Sequence, residues 1–466
     1  MLFSSTTFLF VFLPILCLVY FVARKSMHNT ILLIASILFY AWGEPKYLAV
    51  LFITVILNYA GSIFLVKYQK YKKIILMLTI LANLGILFYF KYFNFVMDNI
   101  NNIFSSDIAF INVVMPIGIS FYTFQSISYL IDVYRGDVKV QKNIYKLLLY
   151  ICLFPQLIAG PIVKYHDIDK QIDDRDVSFD KVCYGVKRFI MGLSKKMLIA
   201  NTLGAVADKI FALPVEQFDV LTSWIGAIAY SFQLFYDFSG YSDMAIGLGY
   251  IFGFKFLENF NYPYISKSIT EFWRRWHISL STWFKEYLYI PLGGNRISNL
   301  RTYINLFIVF LATGIWHGAE WTFVVWGLWH GFFIIFERVT GFHKKEGNKL
   351  FYAGKHVYTI IAFIIGWVIF RAPSLKYALD YIRNMFGMIS KHDVVYDISY
   401  YIGNFEIISF VAAFICCIPV FSKMLDVSNN RKILKFVVSV WLLFLFFTSA
   451  SMIAVSTYNP FIYFRF

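Results

Sequence analysis

Three clusters of polar residues interrupt apolar stretches of this 466-residue chain, and each has residue types suited to acid–base or anion chemistry. In Gly314-Ile-Trp316-His317-Gly318-Ala-Glu320-Trp321, an imidazole stands between the apolar runs 304–313 and 322–335. Its reference pKa of about 6.5 lets it take and release a proton at ordinary pH. The flanking glycines permit close backbone approach or a helix break, which opens space beside the ring. A general base that deprotonates a hydroxyl for attack on a thioester needs that combination. The plainer alternative is a histidine that only hydrogen-bonds a neighbour. His330, in Trp329-His330-Gly331, offers the same ring without an acid or an opening of its own.

The second cluster is Glu271-Phe-Trp-Arg274-Arg275-Trp-His277-Ile-Ser279-Leu-Ser281. Glu271 and Arg275, at i and i+4, can pair on one helical face. Guanidinium groups suit bidentate phosphate contacts, so Arg274 and Arg275 face either the phosphates of an acyl donor or lipid headgroups. His277, among Trp273, Trp276 and Trp283, is either a structural or substrate-positioning group or a catalytic partner. The third cluster is Gln233, Tyr236, Asp237, Ser239, Tyr241, Ser242 and Asp243. Its carboxylates either line a polar cavity or proton path, or tie an interhelical hydrogen-bond knot. No His or Cys pair has metal-ligand spacing, so no metal site is expected. Cys17, Cys152, Cys183, Cys416 and Cys417 read as small buried hydrophobes. Gly293-Gly294-Asn295 reads as a turn, lacking the lysine and preceding strand of a phosphate loop.

The elements that carry these clusters must be membrane helices. Hydrophobic residues make up 59% of the chain and charged residues 15%, with a mean hydropathy of +0.64; soluble domains carry about 25% charge. Apolar runs approach or reach the ~18 to 25 residues that cross a bilayer, for example 8–22, 74–90, 360–370 with its flanks, and 436–455. Backbone groups in lipid must be satisfied within the segment, and the runs do not alternate in polarity, so the chain is all-α rather than a barrel. The expected architecture is a polytopic fold with about ten to twelve transmembrane helices. The apolar N-terminus, without a cleavage signature, reads as an uncleaved first span. Stretch 254–301, whose apolar pieces are too short to span, reads as a re-entrant or interfacial layer. Acids in 167–180, followed by Lys187, Arg188, Lys195 and Lys196, read as an amphipathic surface helix or linker. Gly249 and Gly253 read as a helix-packing Gly-x-x-x-Gly pair.

The charge of +15 is a matter of topology and not of nucleic acid. Basic residues gather in alternate loops, at Arg24 and Lys25, at Lys67, Lys70, Lys72 and Lys73, at Arg135, Lys139, Lys142 and Lys146, and again around 344–355 and 423–435. This positive-inside pattern places both termini outside and demands an even number of crossings of a bacterial cytoplasmic membrane. A transporter or flippase that moves acyl groups or glycans without covalent chemistry is the competing class; it would couple through Asp237 and Asp243. The internal repeats that favour it are not found.

Taken together, Pro116-Ile-Gly118-Ile-Ser120-Phe-Tyr122-Thr-Phe124-Gln125, Gly160-Pro161, Tyr236-Asp237-Phe-Ser-Gly240-Tyr-Ser-Asp243, Phe272-Trp-Arg-Arg-Trp-His277 running to Pro291-Leu-Gly-Gly294, and Trp316-His317-Gly318 resemble the membrane-bound O-acyltransferases. The resemblance is to the bacterial branch with alginate O-acetylation subunits and peptidoglycan O-acetyltransferases, and it runs the length of the chain as a single domain of residues 1–466. It implies helices around a central funnel, His317 as the active histidine, with Trp316 beside it, and His277 as the second histidine of the pattern. It also implies an acyl thioester such as acetyl-coenzyme A as donor substrate, with no bound cofactor. Donor contacts are expected at Arg274 and Arg275, and further substrate contacts at Asp237, Asp243 and Arg465. An extracellular SGNH-type serine acyltransferase is the expected partner, with a cell-wall or exported polysaccharide as the acceptor. The ending Pro460-Phe-Ile-Tyr463-Phe-Arg465-Phe466 resembles this branch's terminal motif (residues 461–466), which implies acyl relay through Tyr463. Read from composition alone, the same residues form an interfacial aromatic belt with an arginine anchor.

Overall fold

The computed structural model describes residues 1–158, 160–389, 393–419, 432–456 and 458–462. Tyr463 and Arg465 lie outside the described residues, as do His392, Lys423 and Arg431. Every regular element among the described residues is a helix, the outcome that continuous apolar runs dictate in lipid.

Six helical stretches among the described residues are long and apolar enough to cross a membrane: Lys25–Gly43, Pro45–Lys67, Gln69–Phe104, Trp321–Val339, Lys349–Arg371 and Ile433–Val455. Phe8–Val22 and Asn404–Cys416 are shorter apolar helices. The expected ten to twelve exceed this apolar set because other long helices carry polar groups. Val220–Ile251 contains Gln233, Asp237 and Asp243, and Asn299–His317 contains Arg301, Asn305 and His317. Stretch 254–301 folds into short pieces, Ile269–Arg275, Ile278–Phe284 and the π-turn Lys285–Tyr289, none long enough to span.

The chain divides into two compact units, one of Met1–Phe189 with Ser242–Leu257, the other of Ile190–Tyr241 with the residues from Glu258 onward. In the first, Asn58 and Asn83 exchange side-chain hydrogen bonds of 2.9 and 3.1 Å between the helices Leu48–Lys67 and Lys72–Leu87. Amide pairs of this kind join helices where burial of apolar surface supplies no net force. The close crossing in this unit is made by Gly185 and Gly247. A Cβ on Gly247 would stand 2.6 Å from the Gly185 carbonyl oxygen, so glycine at both positions lets the backbones touch.

Gly249 and Gly253, in contrast, do not pack one helix on another. The helix ends at Ile251, Gly253 takes φ +85°, and the Phe254 amide donates to the Gly249 carbonyl over 2.7 Å. The spacing expected to join helices is a C-terminal cap, in which the glycine supplies the left-handed turn.

Candidate active site

His317 is the last residue of the helix Asn299–His317, and Gly318 leaves it in extended conformation. The crossing of this helix with Trp321–Val339 fixes its end. A Cβ on Gly314 would lie 2.5 Å from the Phe323 carbonyl oxygen, and one on Gly327 would lie 2.9 Å from the Gly314 Cα. No side chain fits at either place. The imidazole is buried, at 7% exposure, with ring centroids of Trp326, Trp316 and Phe370 at 4.8, 5.0 and 5.4 Å. Trp316 also lies 6.3 Å from the ring of His277, so one indole neighbours both imidazoles.

His277 is fully buried and holds a left-handed backbone, φ 44° and ψ 56°, between the helices Ile269–Arg275 and Ile278–Phe284. For a residue with a Cβ this conformation costs free energy and persists only where neighbours enforce it. Asn259 does so. Its Oδ1 accepts from the Ser279 amide at 3.1 Å and the Ser279 hydroxyl at 2.9 Å, and its carbonyl accepts from the Ile278 amide at 2.9 Å. Because an amide N–H donates to that Oδ1, the His277 Nδ1 that approaches it to 3.2 Å must also donate. Neutral His277 therefore carries its proton on Nδ1. Phe238 closes one side of the ring at 4.6 Å.

Arg274 is exposed, whereas Arg275 is engaged: it meets Glu271 at 2.9 Å, the expected i, i+4 pair, and donates to the Asn261 carbonyl at 3.1 Å. The helix that carries both arginines is held at its start by Glu337. This fully buried carboxylate accepts from the amides of Ile269 and Thr270 at 2.6 and 2.9 Å and from the Thr270 hydroxyl at 2.6 Å. It satisfies donors that a helix start leaves open. Neither Asn259 nor Glu337 stands in a pattern that marks it. Each acts on residues distant in sequence.

His330 is fully buried, within about a ring's width of Trp326, Trp273, Trp367 and Phe272 at 5.1, 5.4, 6.0 and 6.2 Å. Neither of its ring nitrogens has a hydrogen-bond partner among the described residues.

The two aspartates of the third cluster each face a cation. Within the first unit Asp243 pairs with Arg188 at 2.6 Å. Within the second, Asp237 pairs with Lys196 at 2.6 Å, both side chains almost wholly buried. Arg188 shares the helix Phe179–Ser194 with Asp180, and Lys187 beside it is exposed, but Lys196 lies beyond that helix and is buried, so the amphipathic surface helix or linker expected there does not extend to Lys196. Charge buried at this depth requires a partner, and the aspartates supply it. Gly240 makes the second pairing possible: a Cβ there would meet the Gly192 carbonyl oxygen at 2.7 Å. The π-turn Lys195–Ala200 follows directly and carries Lys196.

Comparison with known proteins joins this geometry to a chemistry. Residues 37–376, which include both histidines, match the membrane-bound O-acyltransferase family. The chain is 46% identical over 398 residues to the probable alginate O-acetylase AlgI of Pseudomonas aeruginosa, covering 83% of this chain and 75% of that one. It is 38% identical over 425 residues to the peptidoglycan O-acetyltransferase of Helicobacter pylori, covering 83% and 80%. A more distant relative, the teichoic acid D-alanyltransferase of Bacillus subtilis, is 32% identical over 233 residues, 47% of this chain and 58% of that protein. The chain is a multi-pass membrane protein, and it belongs to the membrane-bound O-acyltransferase family.

Proposed function

We propose that this O-acyltransferase takes an acetyl group from a cytoplasmic thioester, acetyl-coenzyme A, passes it to Tyr463, and so supplies O-acetylation of a cell-wall or exported polysaccharide. The observation that carries this reading is the placement of His317: a buried imidazole at a helix end, walled by three aromatic rings and sharing the Trp316 indole with His277. The names of the alginate and peptidoglycan acetylating relatives support an acetyl group and a polymer acceptor.

In the proposed step the His317 imidazole removes the Tyr463 phenolic proton. The phenolate attacks the thioester carbonyl, the C–S bond breaks, and the imidazolium returns its proton to the departing thiolate. The products are a tyrosyl ester and a free thiol. A phenol, with a pKa of about 10, is a better leaving group than a sugar hydroxyl, so the ester keeps much of the transfer potential of the thioester. The aromatic wall limits water that would otherwise compete for the acyl group. Exposed Arg274 is assigned to the donor phosphates, since Arg275 is engaged with Glu271. An SGNH-type serine acyltransferase outside the membrane then carries the group from the tyrosyl ester to the polysaccharide.

The test is the O-acetyl content of cell-wall and exported polysaccharide in strains that carry His317→Ala or Tyr463→Phe at normal expression. Both should lose acetylation. Retention in His317→Ala would remove the base from the scheme, and retention in Tyr463→Phe would remove the relay.

A further inference from the structure

The chain residues just before Tyr463 are fixed by an unusual set of partners. The segment 458–461 has no regular secondary structure, so its buried backbone groups need partners from elsewhere. Pro460 has no amide to donate. Its carbonyl oxygen accepts from the Lys196 ammonium, and the Ile462 amide donates to Asp237 Oδ2 at 2.9 Å. The same two side chains pair with each other at 2.6 Å through Asp237 Oδ1, at 4% and 3% exposure. Between the two backbone contacts lies Phe461, itself buried, with its ring 4.8 Å from Tyr241 and 5.9 Å from the Lys196 ammonium.

A second set of contacts lies upstream. The Tyr458 hydroxyl donates to Asp208 Oδ2 at 2.7 Å, while Arg371 meets Asp208 Oδ1 at 2.6 Å. The Asn201 amide donates to the Tyr458 carbonyl and to Asn459 Oδ1, each at 3.4 Å. All of these groups belong to the second unit.

A buried ion pair is a poor source of stability, because desolvation offsets most of its attraction, and its best-attested use is to fix register. Here each partner also makes one hydrogen bond to a backbone group of the terminal segment. A slip of one residue would leave the Lys196 ammonium and the Asp237 carboxylate without those contacts. We propose that the Lys196–Asp237 pair is a docking clamp that fixes the register of residues 458–462, and that turnover depends on the clamp because it sets the position of the residue that follows, Tyr463. Lys196 and Asp237 are then positioning residues, with the terminal segment of their own chain as their ligand. The clamp's link to Tyr463 rests on the relay reading above.

Loss of one partner alone would leave a buried uncompensated charge and risks unfolding, so the test removes both charges, with Lys196→Met/Asp237→Leu in the full-length chain in detergent. Hydrogen exchange of the peptide that spans 458–462 is read beside kcat and KM for acetyl-coenzyme A. The expected result is exchange about tenfold faster at 458–462, unchanged exchange in the helix Val220–Ile251, and kcat about 100-fold lower at unchanged KM. Unchanged exchange, or faster exchange with unchanged kcat, overturns the clamp. If the double variant does not fold, Phe461→Ala decides: it must raise exchange at 458–462 and lower kcat, and failure of either overturns the proposal. Tyr463→Phe separates the two readings. An active Tyr463→Phe with an inactive clamp variant removes the relay and leaves a clamp that turnover needs. An inactive Tyr463→Phe with an active clamp variant keeps the relay and removes the clamp.

Discussion

The rings of His317 and Trp326 lie 4.8 Å apart at an interplanar angle of 87°, and Trp326 in turn lies 5.1 Å from His330. The Trp326 indole thus neighbours two histidines, and the two have different surroundings. His317 stands at a helix end beside a glycine break, whereas His330 lies inside the helix Trp321–Val339 with no ring-nitrogen partner among the described residues. His330→Phe should therefore be neutral to stabilising and keep most of the activity, because an apolar ring replaces a buried polar one without loss of a hydrogen bond. Acetyltransfer assays and melting temperature in detergent check this, and a loss of activity like that of His317→Ala would give His330 a chemical role.

The Gly314–Gly327 crossing leaves no room for a methyl group. Gly327→Ala should force the two helices apart, cost about 1–3 kcal/mol of stability, and displace His317 enough to lower kcat by about tenfold or more. Equilibrium unfolding and steady-state kinetics report the two effects separately. Gly354, an exposed position within the helix Lys349–Arg371 where a Cβ meets nothing within 4 Å, is the control: Gly354→Ala should leave kcat unchanged and, through helix propensity, raise stability by about 0.5–1 kcal/mol.

Asn259 accepts from Ser279 and from the Nδ1 side of His277. Asn259→Ala should cost about 1–3 kcal/mol by leaving buried donors without their acceptor, and should lower activity through the orientation of His277. Asn259→Asp keeps the acceptor oxygen and should recover more activity than Ala in the same assay. Equal loss in both variants would mean that the Asn259 oxygen does not position His277.

Glu337 offers a similar contrast. Glu337→Gln keeps one acceptor oxygen for the start of the helix Ile269–Arg275, whereas Glu337→Ala keeps none. The alanine variant should be less stable than the glutamine variant by about 1–2 kcal/mol, and should raise KM for acetyl-coenzyme A more, because Arg274 rides on that helix. Denaturant midpoints and donor titrations measure both.

These particulars show what the sequence could and could not reveal. The all-helical membrane fold is legible because lipid allows so few alternatives and apolar runs mark themselves. The Trp316-His317-Gly318 triplet and the Glu271–Arg275 pair are local patterns and can be read directly. Asn259, Glu337 and Lys196 act across 18, 67 and 41 positions of sequence, and a pattern within one segment carries no signal for such partners. Asp237 shows the same limit from the other side. It was recognisable as a polar residue in need of a purpose, but its partners, Lys196 and the amide of Ile462, come from elsewhere in the chain. The Gly249–Gly253 spacing misleads because a helix cap and a helix crossing demand the same residue for different reasons. Gly185 and Gly247 make the crossing instead, from two helices whose spacing along the chain says nothing.

In the proposed reaction His317 moves an acyl group onto Tyr463. Mass spectrometry of the C-terminal peptide, after the purified chain meets isotopically labelled acetyl-coenzyme A, measures that transfer directly. One labelled acetyl group is expected on Tyr463 in the unaltered chain and none in His317→Ala. An unlabelled Tyr463 in a chain that still sustains polysaccharide acetylation, or equal labelling in His317→Ala, would contradict it.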